Sequence, residues 1–351
     1  MNETVRACPS VIRTSHRRAF KKCRRAWDWG VREGWEPKSR PMPFDFGTAI
    51  HAGLQVYYNP ELKLVIPKHR IAMAVGAFIQ VMNDQYERFA NLVNSIDQED
   101  MDSWSDHVRL GKGMLTDYAE YDLVHHRFTP IAVETTFDIP IPGLICDCHG
   151  LPVLYEIRFD VLAEDEDSEL ILVDHKTTDN FYEDTEEFLA LDEQMKSYAW
   201  GVWARFGRRV SGVVYNELKK EIPEPPKVLK NRQLSIDKRQ NTSLKLYLQA
   251  IRATGQRQEL YTPFLEYLEQ NPRERFRHFR IEYNTQELNQ QVEQIRNEAI
   301  EMINPNISVY PNPSRMNCRT CQFKAPCLMA SEGSDARWLL NANYVHKGDE
   351  Q

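Results

Sequence analysis

Two apolar segments rich in β-branched residues, separated by a short acidic segment, stand out near the middle of the chain. The first begins at Ile157, the second ends at Thr177, and the residues from Glu164 to Glu169 between them are highly polar. Short apolar segments bounded by polar, turn-forming residues are typical of β-strands, and a short connection favours antiparallel pairing. We therefore expect a β-hairpin over residues 157–177, with the rest of the fold arranged around it.

Helical and strand patterns extend on both sides of this hairpin. Apolar residues at helical spacing predict helices over residues 15–34, 46–58, 70–97, 101–127, 186–205, 243–270 and 286–303. Further strands are predicted at 131–139, 211–218 and 276–283. Helices that flank a short central sheet indicate a mixed α/β domain. The Pro- and Lys-rich residues 219–242 predict an irregular, mobile loop that contacts substrate.

Composition and charge add few constraints. The chain has 351 residues, of which 42% are hydrophobic and 27% are charged, as in ordinary soluble proteins. The apolar runs are shorter than the ~18 residues that a membrane span requires, and the first residues do not resemble a secretion signal, so we expect a cytoplasmic protein. The net charge is −7, so DNA binding would need the local basic runs at 13–25, 219–239 and 273–280.

Three side chains of the predicted hairpin could act together in chemistry. Asp160 lies in the first strand, and Asp174 and Lys176 lie near the end of the second, where alternation places them on one face. His175 points the other way, which leaves its backbone carbonyl near the carboxylates. Such oxygens suit Mg²⁺ or Mn²⁺, and an ammonium group beside them could polarise a water aimed at a phosphate. The alternative is that these are solvated or turn-capping aspartates, because the D-x-K pattern alone is common.

The spacing Cys318-x2-Cys321-x5-Cys327 is the most specific local signal among the seven cysteines. Three thiolates so spaced predict a metal centre that lacks one ligand, and Cys23 is the candidate for the fourth. Spacing alone leaves Zn²⁺ and a [4Fe–4S] cluster equally open. In a cytosolic chain we expect no disulfides, and the remaining cysteines are interpreted as structural or incidental: Cys8, Cys146 and Cys148.

The order of these residues resembles a known family. The sequence contains, in order, Cys23, His51, Asp160, Asp174-x-Lys176, Gln194-x3-Tyr198, Cys318, Cys321 and Cys327. With the segments VDHKTT and EQMKSYAWG, this order is similar to the RecB-type branch of the PD-(D/E)XK nucleases in its iron–sulfur form. That form includes CRISPR-associated exonucleases and stand-alone phage-encoded relatives. The resemblance extends from residue 15 to residue 328.

The resemblance implies a restriction-endonuclease-like core in one nuclease domain over residues 1–351. Residues 10–40 and 304–330 would together form the clasp around the cysteine-bound cluster. Relatives often have Gly three residues before the first Asp, where this chain has Ile157, and this departure concerns local geometry rather than a metal ligand. Glu134 is interpreted as an ordinary strand residue.

The resemblance also implies roles for individual residues. His51, Asp160, Asp174 and the carbonyl of His175 would bind Mg²⁺ or Mn²⁺, and Lys176 would orient or activate the attacking water. Gln194 and Tyr198 would support the wall of the active site and contact DNA. The cysteine ligands would hold a [4Fe–4S] cluster: Cys23, Cys318, Cys321 and Cys327.

The implied function is a metal-dependent DNA exonuclease in recombination, repair or replication. It would act on single-stranded DNA or on DNA ends, because the chain has no GxxxxGK[ST] loop and therefore no motor of its own. Basic side chains of residues 13–25 and 219–239 would follow the DNA backbone, and recombination or replication proteins are further expected partners. A phage-encoded protein would act in the host cytoplasm. Two alternatives remain at this stage: a non-catalytic DNA-binding or adaptor protein on a nuclease fold, and a Zn-stabilised interaction module.

Overall fold

A six-stranded mixed sheet with helices on both faces forms the centre of the molecule, which confirms the predicted α/β class. The computed structural model describes residues 9–38, 45–92, 96–125 and 128–346. Its strands are β1 (Val11–Ile12), β2 (Trp35–Pro37), β3 (Phe128–Ile145), β4 (Pro152–Asp165), β5 (Leu170–Thr178), β6 (Gly212–Lys219), β7 (Phe276–Ile281) and β8 (Tyr344–His346). Its helices are α1 (Thr14–Lys22), α2 (Arg24–Trp27), α3 (Phe46–Tyr57), α4 (Pro67–Leu92), α5 (Gln98–His125), α6 (Thr185–Leu189), α7 (Glu193–Phe206), α8 (Leu244–Thr254), α9 (Thr262–Gln270), α10 (Thr285–Ile303), α11 (Arg315–Arg319), α12 (Lys324–Ser331) and α13 (Ala336–Asn343).

The predicted hairpin is present as β4 and β5, in the interior of the sheet. The sheet order is β1-β4-β5-β6-β7, and β3 also pairs with β4. β4 and β5 are antiparallel, with Val161 opposite Val173, whereas β5 and β6 are parallel and β6 and β7 are antiparallel. The first six residues of β5 are buried because this strand has neighbours on both sides and helices above and below.

An apolar core covers each face of the sheet. On one face, α7 and α10 pack around Tyr155, Ile157 and Trp200. On the other face, α3, α4 and α5 pack around Ile50 and Phe78. The second core fixes α3, which carries His51, against the sheet. Every helix within the described ranges is too short or too polar to cross a membrane.

The helices of the second core begin and pack for identifiable reasons. Asp45 caps α3 by accepting a hydrogen bond from the N–H of Thr48 at 3.0 Å. Gly111 lies within α5, where an added Cβ would approach the ring of Phe78 to 2.0 Å. Glycine therefore permits close contact between α4 and α5 at this position. The G-x-G sequence of residues 111–113 is helical rather than a phosphate-binding loop, in keeping with the lack of a GxxxxGK[ST] pattern in the sequence.

Two of the predicted helices are interrupted. The helix predicted over residues 15–34 breaks at Cys23, whose extended backbone (φ −164°, ψ 111°) separates α1 from α2. The helix predicted over residues 186–205 divides into α6 and α7 at Asp192, which accepts hydrogen bonds from the N–H groups of Gln194 and Met195. Both single-helix predictions are wrong, because apolar periodicity does not register a one-residue break that tertiary contacts or a local cap can stabilise.

Residues 220–275 form a separate packing unit between β6 and β7. In it, α8 and α9 surround a small apolar core that includes Leu234, Tyr247 and Phe264. The backbone of residues 220–242 is irregular, apart from an isolated bridge between Val228 and Leu234. The irregular conformation is confirmed, and the mobility and substrate contact of this loop stay predictions.

The basic run of residues 13–25 is largely engaged in ion pairs with α7 and α10. Arg17 is fully buried and lies 3.1 Å from Glu193 and 2.6 Å from Glu298. Arg18 pairs with Asp192 at 3.1 Å, and Lys21 contacts Glu193. Much of this basic run therefore holds helices together. Its expected contact with the DNA backbone stays a prediction for the side chains that keep solvent exposure.

Candidate active site

His51, Glu134 and Asp160 converge from three different elements. They lie on α3, β3 and β4 respectively. The Nδ1 atom of His51 lies 3.5 Å from Oε1 of Glu134 and 3.4 Å from Oδ2 of Asp160. One ligand atom from each residue lies within 4.8 Å of the other two. Among the described residues, these three therefore form a group that could hold a metal ion.

Asp174 and Lys176 lie beside this group on β5. As strand alternation predicts, they share a face, and Nζ of Lys176 lies 2.9 Å from Oδ2 of Asp174. The backbone N–H of His175 donates a hydrogen bond to Oδ2 of Asp160 at 2.7 Å. The register that pairs Val161 with Val173 places Asp160 beside Asp174 when it is continued by one residue. Folding thus brings together the predicted carboxylates and the lysine.

A buried polar network supports β5 from behind the site. The side chain of His175 stacks on Tyr58, with ring centroids 5.3 Å apart and an interplanar angle of 12°. Its Nδ1 accepts a hydrogen bond from Nδ2 of Asn216 at 2.7 Å, and the same amide donates to the hydroxyl of Tyr118 at 2.7 Å. All four side chains are buried. The network therefore fixes the segment of β5 whose backbone N–H holds Asp160.

Helix α7 forms one wall of the site. The Nε2 atom of Gln194 donates to the hydroxyl of Tyr198 at 2.9 Å and lies 3.4 Å from Oδ1 of Asp174. The Oε1 atom of Gln194 accepts a hydrogen bond from Arg18 at 3.0 Å. The carboxylates open into a cavity of about 450 Å³. Its lining includes His51, Glu134, Arg158, Asp160, Lys176 and Tyr198.

Burial and neighbouring charges compete at each ionisable group. Burial lowers the pKa of His51, but hydrogen bonds with Asp160 and Glu134 outweigh it and raise this pKa to about 10. Burial also opposes ionisation of Asp160, yet His51 holds the pKa of that carboxyl below its usual range. Burial raises the pKa of Asp174 against the attraction of Lys176. Burial lowers the pKa of Lys176, but Asp174 and Asp160 outweigh it and raise that pKa.

These shifts predict that His51 carries a proton in the metal-free protein at a pH where an ordinary histidine is neutral. An NMR titration of the ring in the presence of EDTA should give a pKa of about 10. Metal ions bind the neutral imidazole, so a bound ion must displace this proton. We therefore expect the affinity for Mg²⁺ to increase as the pH is raised toward the pKa of His51.

The variant Asp160→Asn provides the matched control for this titration. It removes the closest carboxylate charge, at 3.4 Å from Nδ1, and should lower the pKa of His51. A wild-type pKa near the ordinary value of about 6.5 would show that the two carboxylates do not act on this ring as the distances indicate.

The donor atoms of the site fit a hard divalent cation. Glu134, Asp160 and Asp174 supply carboxylate oxygens, His175 supplies a backbone carbonyl, and His51 supplies an imidazole nitrogen. Mg²⁺ and Mn²⁺ prefer oxygen ligands, and imidazole is also a common ligand of transition metals. In the metal-free protein these carboxylates are paired with His51, Lys176 and Arg158, and a divalent ion could take the place of the His51 proton. The residues present therefore fit the ion that the sequence predicts.

Ile157, which stands where relatives often have Gly, is accommodated by the opposite helix. Its side chain is fully buried in the core between β4 and α7. An added Cβ on Gly201 of α7 would approach Ile157 to 2.4 Å. A glycine on the helix thus provides the space that the strand residue fills, and the strand continues to Asp160 in register with β3.

The predicted cysteine ligands gather where the two ends of the described chain meet. Cys23 follows α1, Cys318 lies on α11, and Cys327 lies on α12. The backbone N–H of Asn312 approaches Sγ of Cys23 at 3.4 Å, and a guanidinium N–H of Arg25 donates to Sγ of Cys327 at 3.7 Å. The pairing of β2 with β8, together with a small apolar core, closes the region. That core includes Trp29, Trp35, Phe323, Leu340 and Tyr344.

The spacing of these sulfur atoms bears on the kind of metal centre. Burial raises the pKa of Cys321, and Cys23, Cys318 and Cys327 are close enough to raise it further. Among the described residues, however, no three sulfurs lie within 4.8 Å of one another. Tetrahedral Zn²⁺, with Zn–S bonds of about 2.3 Å, holds its sulfurs about 3.8 Å apart. A four-iron cluster holds them farther apart because each thiolate binds a different iron.

The other cysteines behave differently from one another. Cys146 is buried and unpaired as a thiol in the first apolar core, in keeping with a structural role. Cys148 is disulfide-bonded, so the expectation that the chain has no disulfides is wrong at this position. That expectation rested on a cytosolic location, which does not identify an individual disulfide. Cys8 lies outside the described residues.

Glu134 is the site residue that the sequence interpretation missed. It occurs within a strand pattern, where polar residues ordinarily face solvent. In the structure its side chain is only 8% exposed and points toward His51. The available signal was an acidic residue within the strand pattern that directly precedes the hairpin. Its position opposite Asp160, however, depends on the register of β3 against β4.

Comparisons with known proteins identify one family. A family model described as the PD-(D/E)XK nuclease superfamily matches residues 14–328. No curated protein matches the chain. Among solved structures, one titled "Crystal structure of SSO0001" is similar at 11% identity, over 63% of this chain and 76% of that chain, with a TM-score of 0.29. That degree of similarity carries no argument about function.

Proposed function

Because the chain belongs to the PD-(D/E)XK nuclease superfamily, a group of metal-dependent nucleases, we propose that it is a DNA exonuclease. The observation that carries the proposal is the convergence of Asp160, Asp174 and Lys176 on two paired strands. Asp160 and Lys176 line one cavity, and Asp174 is buried directly beside Lys176. Carboxylates that hold a divalent ion beside an ammonium group are suited to phosphodiester hydrolysis. The proposed substrate is single-stranded DNA or a DNA end, in recombination, repair or replication.

Each side chain has a defined task in the proposed reaction. Asp160, Asp174, His51 and the carbonyl of His175 would hold Mg²⁺ or Mn²⁺, which supplies Lewis acidity toward the phosphate when bound. A water oxygen attacks phosphorus as the P–O bond to one sugar breaks; the water gives up a proton to solvent, and the released sugar oxygen takes one up. Lys176, 2.9 Å from Asp174, stabilises the negative charge that develops on the attacking and phosphate oxygens.

The wall formed by α7 would position the DNA strand. The hydroxyl of Tyr198 is held by Gln194, and Tyr198 lines the cavity beside Lys176. An aromatic ring there can support an unstacked nucleotide. The lysines and arginines of residues 219–242 would add contacts with the DNA phosphates. Such contacts make DNA binding sensitive to salt. Without a nucleotide-driven motor, the enzyme would depend on ends or on single strands that other proteins produce.

We further propose that Cys23, Cys318, Cys321 and Cys327 hold a [4Fe–4S] cluster. The proximity of Cys23, Cys318 and Cys327 to Cys321 supports this ligand set, and the resemblance to the iron–sulfur form of the family favours the cluster over a Zn²⁺ knuckle. The cluster would join residues 10–40 to residues 304–330. Its role would be structural, because the cysteines lie outside the cavity that contains the carboxylates.

End-labelled single- and double-stranded oligonucleotides would test the proposed activity. Purified protein with Mn²⁺ or Mg²⁺ should shorten single-stranded DNA progressively from an end, and EDTA should stop the reaction. The control substrate is circular single-stranded DNA, which has no ends and which an exonuclease leaves intact. Intact linear substrate under all metal conditions would instead favour a non-catalytic DNA-binding protein, and cleavage of the circle would indicate an endonuclease.

A further inference from the structure

Glu134 occupies a position that the predicted ligand set does not explain. The ladder between β3 and β4 pairs Val133 with Val161 and Thr135 with Phe159, so that Glu134 stands directly opposite Asp160. Asp160 in turn stands beside Asp174 of β5. Three adjacent strands therefore present a row of three carboxylates, whose side chains are between 3% and 12% exposed. Like charges at facing positions of a sheet repel one another.

The backbone at Glu134 is also unusual. Its φ of +42° lies in the left-handed region, which non-glycine residues rarely adopt in a strand. Such conformations persist where surrounding structure enforces them, commonly at functional sites. The strand also changes orientation here, since Val133 packs in one apolar core and Phe137 in the other. The inversion places the Glu134 side chain beneath α3 and His51.

The two oxygens of Glu134 have separate partners. Oε2 accepts two hydrogen bonds from the guanidinium of Arg158, at 3.0 Å and 2.8 Å. Oε1 faces the site, 3.5 Å from Nδ1 of His51. Arg158 is 65% exposed, and an exposed ion pair contributes little to stability. The pair alone therefore does not account for a strained backbone and a buried carboxylate opposite Asp160.

We propose that Glu134 is an additional ligand of the divalent cation and that Arg158 is the positioning residue that aims its free oxygen at the ion. This inference rests on the proposed function, because it concerns the same metal centre. A cation at the common point of Glu134, Asp160 and His51 would have both carboxylates and the imidazole within reach. Arg158 holds one oxygen in a fixed direction and leaves Oε1 available, as second partners of metal ligands commonly do.

Calorimetric titration of the full chain with Mn²⁺ in the absence of DNA tests this inference. Glu134→Gln keeps the size of the side chain and an oxygen for Arg158, but removes the charge at the ion. It should weaken Mn²⁺ binding by about 10-fold or more. Arg158→Lys, which keeps a charge but loses the two-point contact, should weaken binding less. Asp138→Asn is the matched control, since it removes an exposed carboxylate from the same strand and should leave the affinity unchanged.

Thermal unfolding in EDTA separates a ligand from a merely structural residue. If Glu134 is a ligand, Glu134→Gln should not lower the melting temperature of the metal-free protein, and only the stabilisation by Mn²⁺ should shrink. A structural role predicts the opposite: a lower melting temperature in EDTA and a wild-type affinity for Mn²⁺. That second result would overturn the inference.

The reference variant Asp160→Asn distinguishes failure of this inference from failure of the proposed function. If Asp160→Asn loses Mn²⁺ binding while Glu134→Gln binds as the wild type does, the metal centre exists without Glu134, and only the inference fails. If the wild-type protein binds no Mn²⁺, both the inference and the proposed function fail.

Discussion

Replacing Lys176 with Met should lower the rate of DNA hydrolysis by about 10²–10³-fold, the usual effect of removing one charge-stabilising group from a reaction centre. Methionine preserves most of the apolar volume of the lysine side chain and removes only the ammonium group. In the folded protein, burial lowers the pKa of Lys176, but the charges of Asp174 and Asp160 outweigh burial and raise this pKa above its usual value. The ammonium group therefore stays charged. Because its role is electrostatic, binding of Mn²⁺ should remain within a few-fold of wild type.

Lys220→Met is the matched control for this experiment. Lys220 follows β6, and its Nζ lies 3.4 Å from Asp179, so the substitution changes the net charge equally near the same edge of the sheet. It should leave the rate close to that of the wild type. A Lys176→Met protein that hydrolyses DNA at a wild-type rate would remove Lys176 from the mechanism, whatever the metal affinity.

Replacing Cys321 with Ala should abolish the visible absorption near ~400 nm that thiolate-bound iron–sulfur clusters produce and should destabilise the protein by about 5 kcal/mol. The magnitude follows from loop closure, since a link between Cys23 and the terminal cysteines constrains almost three hundred residues of the unfolded chain. The pairing of β2 with β8 and a small apolar core also close this region, so the loss should be partial rather than complete. The free energy of unfolding should be measured in urea on anaerobically purified protein.

Cys146→Ala provides the comparison, because Cys146 is a buried thiol in another core. It should keep the absorption, and its loss of stability should be that of a small core truncation. A colourless wild-type protein that contains one equivalent of zinc would exclude the iron–sulfur cluster. A Cys321→Ala protein with wild-type colour would remove Cys321 from the ligand set.

The parts of the fold that local pattern determines were predictable from sequence. The hairpin of β4 and β5 followed from apolar segments around an acidic turn, and the shared face of Asp174 and Lys176 followed from strand alternation. The helix predicted over residues 46–58 is present as α3, and its start is stabilised by the neighbouring Asp45. In each case the decisive interactions join residues that are close in sequence. A short segment of sequence is therefore enough to predict them.

The features that sequence reasoning missed depend on distant contacts. Glu134 meets Asp160 through the register of two long strands, and its left-handed backbone has no signature in residue type. The helix break at Cys23 coincides with contacts from Asn312, far along the chain. The ion pairs of the basic run on α1 were not predictable either, because its acidic partners, among them Glu193 and Glu298, lie on two later helices.

The ion pairs of α1 have a consequence for any shortened form of the protein. This one helix follows a strand that pairs with β4, ends at Cys23 and donates through Arg18 to Gln194. Deleting α1 would therefore remove the helix that joins β1 to Cys23, and it would leave Gln194, which contacts Asp174, without its hydrogen bond from Arg18. A proteolytic cut before Arg24 would therefore change the position of active-site residues although it removes no carboxylate.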